Sequence, residues 1–291
     1  MYYLISIIST IIGSCTRILQ KNYVNNTKEI KTSSDIYMFV GIITATIYYF
    51  FLAGGKVPLN LPTLIFSVVF ALIATLSVYM RLIAYNYATL VHINVISGAL
   101  GTILPFLYEF LFTDIVFTQN KIISVFFRVM AICVVWLFDR EKSQTKKGIL
   151  ICIILGIISG AAGITTRMYA NFPNVESDGS FFFWTNIFTL PMIFIKIFRK
   201  TDVKTFTADL KRIKFYNYLL ILGDIFVSNG ITFISIDIMR HISGTAHSII
   251  GGSIGLLATT FISSVIYKEP IYLQTVISVI LSIVAVILNL I

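Results

Sequence analysis

The chain holds 291 residues, 57% of them apolar and 12% charged, with a mean hydropathy of +0.90. A soluble domain usually runs about 45–50% apolar and about 25% charged, so the composition excludes an ordinary water-soluble protein. Lys and Arg exceed Asp and Glu by 22 to 13, a net of +9, but the cations cluster between apolar runs, which ties them to membrane orientation and not to nucleic acid.

Apolar stretches long enough to cross about 30 Å of hydrocarbon fall at 3–20, 36–53, 62–84, 90–112 and 119–137, then at 149–170, 180–198, 216–238, 244–267 and 271–291. We read an all-α polytopic membrane protein with ten transmembrane helices. The first run has no basic leader and carries Arg17 near its far end, so it is expected to be a retained helix and not a cleaved signal. Gly54-Gly55 with Pro58 and Pro62, Asp178-Gly179 after Pro173, and Pro270 break the runs. Runs three and four, and runs eight and nine, are joined by very short links, so each pair is expected to form a tight antiparallel hairpin.

The most charged short stretch, DREKSQTKKG at 139–148, divides the chain into two five-helix units, 1–138 and 149–291. After the seventh run, Val203, Phe206, Leu210 and Ile213 stand three and four apart among Lys204, Lys211 and Arg212. That spacing reads as an amphipathic helix lying in the membrane interface, with a solvated basic loop as the alternative. Cys15, Cys133 and Cys152 all lie within apolar runs with no close pair, which supports neither a disulfide framework nor a zinc site. No cofactor or metal is expected.

A shift of 150 aligns Ser9, Gly13, Thr16 and Arg17 with Ser159, Gly163, Thr166 and Arg167, and a shift of 155 aligns His92 with His247, Asp114 with Glu269 and Gln119 with Gln274. A five-helix unit ends on the face opposite its start, so two successive copies must be inverted. Inverted repeats are a common architecture of secondary transporters, with the substrate site between the repeats. One side of the membrane receives 15 of the basic residues in connections, against Lys56, Lys121 and Arg240 on the other. The excess of Lys and Arg on cytoplasmic loops then places both termini outside.

Two stretches, SGALGTILPFLYEFLFTDIVFTQ at 97–119 and GGSIGLLATTFISSVIYKEPIYLQ at 251–274, share a plan. Small residues precede a long apolar run, an acidic residue closes it, and a Gln opens the next helix. Together with the five-plus-five layout, this resembles the EamA branch of the drug/metabolite transporter superfamily. The family's proline in the fourth helix matches Pro105, whereas Thr260 stands at the aligned place in the ninth. The resemblance implies export or exchange of a small metabolite, a cavity lined by helices one, three, four, six, eight and nine, and termini in the cytoplasm, opposite to the loop count.

Ionisable groups in hydrocarbon cost about 2.5–3.5 kcal/mol each on insertion scales, and they pair or line a wet path. The candidates for substrate binding or coupling are Arg17, Arg81, His92, Arg128, Arg167, Asp224 and His247, with Glu109 as a balancing charge. Depth along the helices pairs Glu109 with Arg128, Asp224 with Arg17 and Asp237 with Arg167. Snorkelling to the interface is the competing account for Arg17, Arg81 and Arg167. The two histidines occupy matching positions, and a cavity-facing one would suit proton coupling. Arginines outnumber carboxylates within the runs by four to three, which favours an anionic or zwitterionic substrate.

Gly156 and Gly160, and Gly251 and Gly255, stand at the spacing that allows close helix contact in lipid. Pro105 and Pro191 are expected to kink their helices. Gly251-Gly252-Ser253-Ile254-Gly255, with His247 upstream, satisfies the Gly-x-Ser-x-Gly expression. That motif needs a strand-to-helix turn, and here it sits in an apolar helix. The expected function is therefore a secondary active transporter in the plasma (cytoplasmic) membrane, working by alternating access without ATP. It would act as a monomer or homodimer on a small molecule, with proton coupling. The alternatives are an intramembrane hydrolase using Ser253, or a passive channel.

Overall fold

A computed structural model describes residues 1–113, 118–138, 146–200, 202–268 and 271–290; within these, the side chains of 91, 92, 99, 132, 135–138, 146 and 200 are outside the description. The helices are α1 (Tyr2–Asn26), α2 (Ser33–Leu52), α3 (Leu61–Ala84), α4 (Leu90–Phe112), α5 (Gln119–Phe138) and α6 (Lys146–Asn171), followed by α7 (Asp178–Lys200), α8 (Val203–Arg212), α9 (Phe215–His241), α10 (Gly244–Ile266) and α11 (Leu273–Leu290). No strand occurs among the described residues. Nine helices among the described residues, all but α5 and α8, are long and apolar enough to cross a membrane. The chain is a multi-pass membrane protein, and the observed helices fall close to the expected runs.

Burial is arranged for lipid. Large apolar side chains such as Phe110, Phe112, Phe126, Phe198 and Phe261 face outward, while Ser6, Ser67, Thr102, Ser124, Ser278 and Ser282 are buried between helices. Lipid tails solvate Phe as well as a protein interior does, so helix association rests on close packing of small residues and on hydrogen bonds. Many hydroxyls bond back to a carbonyl one turn earlier, as Thr165 does to Ala161 at 2.9 Å and Thr189 to Thr185 at 2.9 Å, which satisfies those hydroxyls within their own helix. α4 and α7 continue through Pro105 and Pro191.

The two expected hairpins do not form. α3 and α4 share almost no contact, because α6 wedges between them and packs on both; α1 does the same between α9 and α10. The reason lies in the wedge surfaces. A methyl group on Gly156 would stand 2.7 Å from Leu100, and one on Gly160 2.7 Å from Leu104, so α6 meets α4 backbone to side chain. On the other wedge, Gly13 of α1 meets Ile231 of α9, and Thr10 meets Gly251 and Gly255 of α10. A five-residue link is short enough for a hairpin but does not choose the partner; shape does.

The principal contacts come in twos. α4 on α6 is matched by α10 on α1, α3 on α6 by α9 on α1, α3 on α7 by α9 on α2, and α4 on α5 by α10 on α11. Exchanging α1–α5 in order for α6, α7, α9, α10 and α11 carries each of these contacts into its counterpart. The pairs α2 with α7, α4 with α10 and α5 with α11 map onto themselves.

α8 is helical, as its spacing implies. Asp202 accepts a hydrogen bond from the Lys204 amide at its start, and Lys211 and Arg212 sit at its end, the arrangement the helix dipole favours. Its apolar stripe rests largely on protein. Phe206 and Ile213 are buried, and Phe206 meets Phe39 edge-on at 5.7 Å. Asp209 accepts from the Thr32 hydroxyl at 3.0 Å, and only Val203 of the stripe is exposed.

Candidate functional site: two joined chambers in the bundle

Where α6 and α1 hold their neighbours apart, two cavities open. The first, about 230 Å³, is lined by Arg17, Arg81, Asn94, Ser97, His247 and the glycines Gly98 and Gly252, among others. The second, about 280 Å³, is lined by Gln20, Tyr37, Tyr49, Asn186, Asp224 and Asn229 among others, and again by Arg81. We call them the arginine chamber and the tyrosine chamber; Arg81 borders both. The helices α1, α3, α4, α6, α9 and α10 contribute, as the expected layout has it, and α2 and α7 join them along the tyrosine chamber.

In the arginine chamber, Arg17 donates to the side-chain oxygen of Asn94 through a short contact. The Asn94 amide nitrogen is buried with no partner among the described atoms. His247 shares a hydrogen bond with the Ser6 hydroxyl at 2.9 Å. The two chambers are linked by side chains: the Tyr85 hydroxyl donates to Gln20 at 3.1 Å, and Gln20 donates in turn to Asp224 at 3.0 Å. Tyr37 also donates to that same Asp224 oxygen, while the other carboxylate oxygen is buried without a partner among the described atoms. A carboxylate 1% exposed and held only by neutral donors is uncommon, since buried charges in membranes usually pair.

None of the three expected ion pairs is present. Asp224 takes Gln20, one turn beyond Arg17 on the same face of α1, and Arg17 turns to α4 instead. Asp237 is exposed, so Arg167 takes another partner. Glu109, fully buried, accepts from the backbone amides of Gly244 at 2.6 Å and Thr245 at 3.0 Å and from the Thr245 hydroxyl at 2.6 Å. Arg167 stands 3.5 Å from it and also donates to the Ile242 carbonyl at 3.0 Å. Glu109 thus caps the start of α10 from a neighbouring helix, where unpaired amides and the dipole favour an anion. Depth counted from the run ends had matched Glu109 to Arg128, but Glu109 meets α10 at Gly244 and Arg128 meets it at Gly252, two turns away.

Arg128 reaches inward from α5. It is 1% exposed and donates from Nη1 to the Ser282 hydroxyl at 2.8 Å. Its guanidinium lies against Gly98 and Gly252 at the crossing of α4 and α10: a methyl group on Gly252 would be 2.6 Å from Nη2, and one on Gly98 3.0 Å. His92 lies in α4, with its side chain outside the described residues; Asp114, Glu269 and most of the 139–148 connection are outside them too. Ser253 is fully buried in the middle of α10, its hydroxyl has no partner among the described atoms, and His247 is bonded to Ser6. The nucleophile–base contact that the hydrolase alternative needs is therefore not made.

Asn94, Gln20, Tyr37 and Tyr85 were not singled out by charge. Gln20 was within reach of inference, three residues after Arg17; the others carry no signal apart from being polar in an apolar run.

No family model matches the chain, and no curated protein matches it. Among solved structures, a crystal structure described only as that of a protein superposes with a TM-score of 0.64, over 97% of this chain and 96% of that one, at 11% identity. The likeness extends over the whole bundle and concerns the fold alone.

Proposed function

We propose that the protein is a secondary active transporter of the drug/metabolite kind, built as two inverted five-helix repeats and carrying a small anionic or zwitterionic solute by alternating access across the plasma membrane. The observation that carries this reading is the pair of joined chambers, which hold Arg17, Arg81 and Asp224 deep in a bundle that faces lipid. The exchange of packing pairs between α1–α5 and the later helices supports the repeat, because inverted repeats place a site at their interface and let one unit rock against the other. The wedge helices α1 and α6 are the natural rocking elements, since each touches two helices of the other unit.

The test is reconstitution into liposomes with a panel of amino acids, nucleotide precursors and cationic drugs, with and without a pH gradient. Accumulation of an acidic or zwitterionic member without ATP, lost in Arg17→Gln, is the expected result. Flux of none of them, together with a hydrolytic activity that Ser253→Ala abolishes, would replace this reading with the enzyme one.

A further inference from the structure

The exchange of packing pairs between the two halves leaves α8 without a counterpart. Its apolar side is spent on protein. Phe206 and Ile213 are buried, Phe206 meets Phe39 of α2 edge-on at 5.7 Å, and Phe39 meets Phe194 of α7 in the same way at 5.8 Å. Asp209, also buried, accepts from the Thr32 hydroxyl at 3.0 Å and from the Thr32 amide at 3.4 Å. A helix held in the interface by sinking its stripe into acyl chains would keep that stripe free; here the stripe pins α8 to α2 and to the connection before it.

What α8 turns outward is charge. Lys204, Lys211 and Arg212 are exposed on the helix, Arg199 and Lys214 are exposed on either side of it, and Lys31 is exposed next to Thr32, which the bond to Asp209 holds against α8. Five of these six make no ion pair with a described residue, and the sixth, Arg212, stands 3.8 Å from Asp209 with 76% of its side chain exposed. The exposed carboxylates of the same two connections are Asp202 and Glu29, the second offset by its neighbour Lys28. On the other face of the bundle Arg240 is paired with Asp178, and no comparable cluster occurs among the described residues.

The neighbouring helices set the level of this surface. The spanning stretch of α7 ends at Arg199 and that of α9 begins at Phe215, and Phe198, Phe215 and Tyr216 are exposed. Aromatic rings at the ends of spanning helices sit where hydrocarbon gives way to headgroups. Arg199 and Lys214, adjacent to those rings in the chain, therefore lie at headgroup level, with α8 between them.

We infer that α8, its flanks and Lys31 form a platform for acidic phospholipid headgroups. Clusters of about four to eight Lys and Arg beside a membrane helix attract anionic lipid. The fold adds rigidity, since a helix pinned at Phe206 and Asp209 presents its cations with little further ordering cost. Val203 is the only large apolar residue exposed on α8, so the surface lacks the hydrophobic centre that a protein partner would bury. The inference needs only the multi-pass bundle and is independent of any transported solute.

The experiment offers the purified full chain, immobilised in non-ionic detergent, an equimolar mixture of short-chain phosphatidylglycerol and phosphatidylcholine, and measures the lipid retained after washing by mass spectrometry. Phosphatidylglycerol is expected to be retained at least about fivefold over phosphatidylcholine, because each cation at the surface adds to the attraction. The quadruple change Lys31→Gln, Lys204→Gln, Lys211→Gln and Lys214→Gln should bring the ratio close to parity, and Lys56→Gln on the opposite face should leave it as in the parent. In about 1 M salt, where charges are screened beyond roughly 3 Å, the preference of the unaltered chain should vanish. If the quadruple variant does not fold, Lys204→Gln with Lys211→Gln carries the test, with an expected fall of at least about twofold. Equal retention of the two lipids by the unaltered chain, an unchanged ratio in the lysine variants, or a preference that survives high salt overturns the assignment. A fall in Lys56→Gln as large as in the lysine variants would do the same, by tracing the effect to net charge and not to this surface. Tighter binding of polyglutamate than of phosphatidylglycerol, lost in the lysine variants, would make an acidic protein segment the occupant in place of lipid.

Discussion

Arg17 and Arg167 align under the shift of 150 residues, one on α1 and one on α6, yet they live differently. Arg167 is locked: it pairs with Glu109, and that carboxylate also caps α10, so α4, α6 and α10 are tied at one end of the bundle. Arg17 meets a neutral amide, Asn94, and borders a chamber. The same side chain in matching places is thus neutralised by structure in one half and left charged in the other. On the proposed repeat, one copy keeps this arginine for stability and the other leaves it free to bind.

The strongest way to break the contrast is Glu109→Ala. It strands Arg167 and uncovers two buried amides, so we expect a loss of about 3–5 kcal/mol, read as an earlier thermal transition in detergent; unfolding unchanged from the parent would refute the lock. Next comes Gly160→Ala on the α6 wedge. Its methyl group would meet Leu104 at 2.7 Å, and overpacking of this sort costs about 1–3 kcal/mol. Leu104→Ala in the same chain should recover part of that loss, and additivity of the two changes would show that the contact is not shared.

On the transport reading, Arg17→Gln should cost only about 1 kcal/mol of stability, the hydrogen bond to Asn94, while lowering solute flux at least about tenfold, since it removes a binding charge and no ion pair. A large stability loss with normal flux would make Arg17 a structural residue like Arg167. The smallest effect is expected from Gly255→Ala, whose methyl group finds its nearest atoms, in Arg17 and Thr10, at 3.5 Å; that is ordinary contact, and the transition should stay within about 0.5 kcal/mol of the parent.

The helices themselves were legible because a bilayer imposes length and apolarity on every crossing, and α8 was legible because Val203, Phe206, Leu210 and Ile213 mark one face. The close approach at Gly156 and Gly160 was legible for a similar reason, as small residues at that spacing have one main use in lipid. What could not be read is rotation about the helix axis. Nor could the depth of a contact be read: Glu109 meets the start of α10 at Gly244, whereas Arg128 meets Gly252, two turns further along the same helix, about 12 Å away at 1.5 Å per residue. Short links suggested that α3 would lie beside α4, whereas the choice of neighbour was made by the shapes of α6 and α1, far away in the chain. Four of the eight candidate residues, Arg17, Arg81, Asp224 and His247, do line the chambers, because a charge or imidazole in hydrocarbon has few other places to go. Asn94 and Tyr37 were invisible for the opposite reason, since uncharged polar groups are tolerated almost anywhere between packed helices.

Arg81 belongs to the wall of both chambers, and a single guanidinium cannot serve two anions at full strength. On the proposed reading, traffic through the bundle is then single-file: a departing solute has to release Arg81 before its successor can engage. Exchange across the membrane would follow ping-pong kinetics, with parallel lines in double-reciprocal plots of paired solutes.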